Sequence, residues 1–159
     1  SGERVRGFPY ARRSGLFTEA EARFWRVLRD AVPEMAVFGK VRLEDVIVVR
    51  SGLSKSDRAT ARNRIKSRHL DFVLVDPKST RVLVVVELDD ASHNSARARA
   101  ADAFKDRALE AAGVPLVRVR ASGSYDAVEV AGLVRTAVDP AAATDRPINP
   151  EPIVPFVPG

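Results

Sequence analysis

The sequence predicts an α/β protein built on a mixed β-sheet flanked by helices. Three observations predict it. Two apolar runs, 70–76 and 81–88, are separated only by Pro77-Lys78-Ser79-Thr80 and read as partner strands of a hairpin. Both runs are apolar at successive positions, so each is covered on both faces and sits inside its sheet. A helical stretch then leads to a third apolar run, 114–119, the pattern of a crossover that returns a strand parallel to its neighbour.

Taken in order, residues 1–15 combine Gly, Pro and Arg without periodicity and read as a flexible basic arm. A helix is expected over 18–31: Thr18 and Glu21 form a capping box, and Phe24, Val27, Leu28 and Ala31 form an apolar stripe. Residues 35–41 alternate as a strand, 43–49 fit either a helical turn or a short strand, and 57–66 fit a basic helix. After the hairpin, Asp90, Ser92 and Ser95 are cap candidates for a helix reaching 112, with Ala101, Phe104, Ala108, Ala111 and Ala112 as its buried stripe and Gly113 as its stop. A last amphipathic helix, 125–137, uses Val128, Val130, Leu133 and Val134. The first three strands then form an antiparallel meander, and the order helix-strand-strand-strand-helix-strand describes the core. One domain is expected over 16–138, followed by a Pro-rich tail over 139–159.

The chain of 159 residues is 45% hydrophobic and 30% charged, ordinary values for a globular domain. No apolar run reaches membrane-spanning length and no signal-peptide pattern opens the chain, so no membrane partner is expected. The absence of cysteine excludes disulfides, thiolate zinc sites and cysteine nucleophiles, and fits a cytoplasmic setting. With only His69 and His93, a multi-histidine metal site is excluded. The net charge of +5 is unevenly spread, with Arg62, Arg64, Lys66 and Arg68 just ahead of the first hairpin strand. Such a tract suits a polyanion, and these four residues are the candidates for nucleic-acid binding.

The hairpin carries acids where a buried sheet ordinarily has none. Asp71 lies at the start of the first strand, and Glu87 and Asp89 lie two apart at the end of the second, so all three gather at one end of the sheet. Two carboxylates about 4 Å apart repel by roughly 4 kcal/mol at an effective dielectric of ~20. A positive partner is therefore required, and oxygen ligands of this kind suit Mg²⁺ or Mn²⁺. Asp71 and Glu87 are the expected metal ligands. Glu21 is a further candidate, directly or through water, although it also serves as the capping-box acid. Asp89 is an assisting acid or a helix cap. His93 is a candidate general base or phosphate contact, and Lys105 a candidate cation for the cluster, unless it pairs with Asp102 or Asp106 at the surface.

These residues and their order resemble the restriction-endonuclease-like PD-(D/E)XK superfamily. The strings Arg68-His69-Leu70-Asp71-Phe72-Val73-Leu74, Glu87-Leu88-Asp89-Asp90-Ala91-Ser92-His93, Asp102-Ala103-Phe104-Lys105-Asp106 and Ala112-Gly113-Val114-Pro115-Leu116-Val117-Arg118 are similar to a bacterial family called domain of unknown function 2726. The resemblance covers about 16–137 and implies a restriction-endonuclease-like fold and a metal-dependent DNA endonuclease. That superfamily carries lysine two residues after its glutamate, where this chain has Asp89. The departure implies a lysine supplied from elsewhere, with Lys105 as the candidate, or a site assisted by His93. It equally fits a nuclease fold that binds DNA without cutting, as an accessory domain of a larger DNA-processing protein. DNA is the expected partner, with a homodimer or fusion to other domains as further possibilities.

Overall fold

The computed structural model describes residues 7–90 and 95–141. The first six residues of the arm, the cap candidate Ser92, the site candidate His93 and most of the Pro-rich tail lie outside the described residues. The elements run α1 (Glu19–Ala31), β1 (Ala36–Arg42), α2 (Leu43–Val46), α3 (Lys55–Ile65), β2 (His69–Val75), β3 (Val82–Asp89), α4 (Ala96–Ala111), β4 (Leu116–Arg120) and α5 (Ala127–Val138). Among the described residues, no helix is long and apolar enough to cross a membrane.

The four strands form one mixed sheet in the order β1-β2-β3-β4. β1 pairs antiparallel with β2, and β2 with β3, which is the expected meander. β4 returns parallel to β3 after α4, with Glu87 opposite Arg118 and Asp89 opposite Arg120. The β2–β3 turn is tied by Asp76, whose carboxylate accepts the N–H groups of Lys78 (2.9 Å) and Ser79 (2.7 Å).

Two apolar layers enclose the sheet. On one side α1 and α5 bring Phe24, Leu28, Val130 and Val134 against Phe72, Leu74, Val84 and Val86. On the other, Leu43, Ile65 and Leu109 meet Val73, Val75 and Val85. The capping box of α1 forms as predicted, with Thr18 N–H donating to Glu21 Oε2 (3.1 Å) and Glu21 N–H to Thr18 Oγ1 (3.2 Å).

The ambiguous stretch after β1 resolves into the single turn α2. α3 starts two residues earlier than the sequence suggests, because Ser54 Oγ accepts the Asp57 N–H and caps it. Two apolar stripes need correction. In α5, Val128 and Leu133 face solvent, and Val130, Ala131 and Val134 form the buried face. In α4, Ala111 and Ala112 are exposed and Leu109 is the one fully buried side chain. Leu109 lies one turn after Lys105, so the face of α4 that meets the sheet is the face carrying Lys105.

Candidate functional site

The end of the sheet where β2 begins and β3 and β4 finish opens into a cleft of about 1140 Å³. Its floor is a row of charged residues across three strands. The Phe72–Val86 pairing continued by one residue sets Asp71 beside Glu87, and the parallel register sets Arg118 on the other side of Glu87. Residues opposite one another in a sheet project to the same face, so the row points together into the cleft.

Glu87 is the one polar or charged residue among the buried ones described. It sits beside Asp71 in the register, and its carboxylate accepts a hydrogen bond from Lys105 Nζ at 3.2 Å. Asp71 is also anchored by the backbone, since Leu88 N–H donates to its Oδ2 at 2.8 Å. Burial, reinforced by the Asp71 carboxylate, pushes the Glu87 carboxyl up to about 8, against the opposing pull of Lys105. Lys105 is itself largely enclosed and lies 3.7 Å from Asp102 on its own helix. It therefore joins both groups that the sequence offered as alternatives, the acid cluster and the surface acid.

An ion-pair chain runs on from that row through Arg118. Arg118 reaches Asp89 Oδ1 at 3.2 Å and also grips Asp106 on α4. Those acids hold its guanidinium pKa above the ordinary value, although burial acts in the opposite direction. Arg118 is the one charged residue within the apolar run 114–119. A charge inside such a strand, next to the one that carries Glu87, was the available signal. Glu21 lines the same cleft, engaged by its capping box and by Lys40 Nζ at 3.2 Å.

The basic tract divides. Arg68 lines the cleft, and the guanidinium groups of Arg64 and Arg68 both lie 4.3 Å from the centre of the Phe104 ring, tying the region after α3 to α4. Arg62 on α3 and Lys66 at its C-cap are exposed and away from the cleft lining.

The donor set favours a hard divalent cation over a soft one. Asp71 and Glu87 offer carboxylate oxygens side by side in the register, and a cation between them would offset both the burial of Glu87 and the repulsion from Asp71 that together raise it. Among the described residues no group of three or more His, Cys, Asp or Glu is arranged to hold a metal. Any cation here would complete its shell with backbone oxygens and water, a habit of Mg²⁺.

The family model described as "Protein of unknown function (DUF2726)" matches residues 13–137, and the chain belongs to that family. Comparison with curated proteins and with solved structures gives no match.

Proposed function

We propose that this member of the DUF2726 family is a metal-dependent DNA endonuclease, with the restriction-endonuclease-like arrangement of the PD-(D/E)XK type. The observation that carries the reading is the register that sets Asp71 beside the buried Glu87 at the end of the sheet, with Lys105 Nζ 3.2 Å from Glu87. Asp71 and Glu87 would hold Mg²⁺ or Mn²⁺. When bound, such an ion supplies charge neutralisation at a phosphoryl oxygen and an acidified water.

The chain's own residues account for the rest. Leu88 N–H fixes the Asp71 carboxylate in place. Lys105, on α4, brings a cation to the carboxylate pair from above the sheet, where it can stabilise the charge that develops on a phosphate oxygen. This is the lysine that the motif lacks at Asp89, supplied from a different element. Asp89 and Arg118 hold each other, and Arg118 holds α4 through Asp106. Glu21 contributes an acid at the cleft wall. His93, beyond Asp90, is proposed as an assisting base on sequence grounds alone.

Incubation with supercoiled plasmid and Mn²⁺ or Mg²⁺ is expected to produce nicked circles, and Glu87→Ala to abolish them. Equal nicking by both proteins would assign the activity to a contaminant. The alternative, a nuclease fold that binds DNA without cutting, draws on the aspartate at position 89, whose carboxylate is engaged by Arg118. It predicts salt-dependent binding with no nicks at any metal concentration.

A further inference from the structure

The sequence points to the basic run around α3 as the track for a nucleic-acid backbone. Of its four members, only Arg68 lines the cleft. Arg64 lines a separate apolar groove beside Ile47, Leu53 and Val114.

Most cations inside the cleft are already engaged. Lys105 sits between Glu87 and Asp102, Arg118 between Asp89 and Asp106, and Arg68 lies on Phe104 while donating to the Arg64 carbonyl. Arg99 and Arg120 differ. Both line the cleft, both are exposed, and among the described residues neither comes within ion-pair distance of a carboxylate.

Their places follow from local geometry. Arg120 is opposite Asp89 in the parallel register, two residues beyond Arg118 and on the same face of β4. That offset is about 7 Å along the strand from the Glu87 row, at roughly 3.3 Å per residue. Arg99 lies three residues before Asp102 on α4, on the helix face that also carries Asp102 and Asp106. One arginine thus rises from the sheet and the other descends from the helix. Each carries a guanidinium whose planar fork matches phosphate oxygens.

We propose that Arg99 and Arg120 are the phosphate-binding groups of the cleft, holding the nucleic-acid backbone next to the Asp71–Glu87 pair. The inference rests on reading the cleft as a nuclease site and assigns the backbone contact to α4 and β4 instead of α3. Each lost phosphate contact flattens the plot of log affinity against log salt by about 0.9 on duplex DNA.

The test is fluorescence anisotropy with a labelled random-sequence 30-base-pair duplex in EDTA, titrated across salt concentrations. Arg99→Ala with Arg120→Ala is expected to flatten the slope by about 2, and the paired lysine replacements to restore most of it, since a lysine still contacts phosphate as a point charge. Arg62→Ala with Lys66→Ala is expected to leave the slope unchanged. If the α3 pair flattens the slope and the Arg99/Arg120 pair does not, this assignment is overturned while the nuclease reading stands. If the wild-type chain shows no salt-dependent binding, the nucleic-acid reading of the cleft fails and the assignment with it.

Discussion

Glu87 is a buried carboxyl, and its burial carries a measurable penalty. The folded chain keeps a proton on Glu87 up to about 8, whereas an unfolded chain releases it near 4.5. Between those values the native state binds more protons than the unfolded state, so stability falls as pH rises. The contribution is full below the lower value and lost above the upper one. Glu34, Asp45 and Asp76 are held low by Arg135, by Arg42 and by the Ser79 N–H respectively, and act only at more acid pH. Without divalent metal, stability is therefore expected to fall between pH 5 and 8.5 by an amount on the order of 4 kcal/mol, and the melting temperature by roughly 8–16 °C for a chain of this size. Glu87→Gln is expected to flatten that slope, and calorimetry across the pH range checks it. An unchanged slope in the variant would place the titration elsewhere. Glu87 stands out in the sequence because a carboxylate inside a run of valines needs a partner. The role of Arg118 does not, because its partners Asp89 and Asp106 are 29 and 12 residues away and meet it only after the crossover closes.

Among the elements, α4 decides whether the site is assembled. It is rich in alanine on every side, so its sequence defines no sharp apolar stripe, and the expected one placed Ala111 and Ala112 inside where they are exposed. Side-chain volume does not choose the docked face here. Leu109 and the polar contacts choose it: Lys105 to Glu87, and Arg118 to Asp106. Arg118→Ala is expected to lower stability by about 1 kcal/mol, with a coupling of about 0.5–1 kcal/mol to Asp106→Ala in a double-mutant cycle by urea denaturation. Additive single effects would show that the pair does not hold the helix. The approach of α1 to the sheet turns on β1. Gly39 faces Phe72 across the strands, and a methyl group there would collide with the Phe17 ring. That ring is hemmed in by Trp25 (5.8 Å between centroids) and Phe72 (5.6 Å), so it has little room to yield. Gly39→Ala is expected to destabilise by about 1–3 kcal/mol, read from the urea midpoint. The capping box, the hairpin and the crossover were all legible because each depends on near neighbours in sequence. The joint stacking of Arg64 and Arg68 on Phe104 was not, because it joins side chains about 40 positions apart.

At the scale of the whole molecule, the sheet separates two layers: α1 and α5 cover one face, and α3 with α4 the other. The cleft lies outside the carboxyl ends of the parallel pair β3 and β4, the position where open α/β sheets commonly bind ligands. The meander was predictable from apolar runs and a short turn, and it fixes the meeting of Asp71 with Glu87 through register alone. The most direct test of the cation proposed for this pair is a crystal soaked in Mn²⁺ and measured for anomalous scattering. A peak between the Asp71 and Glu87 carboxylates is expected, absent from the Glu87→Ala crystal. No peak there in the wild-type crystal at saturating Mn²⁺, or one that persists in the variant, would contradict the account.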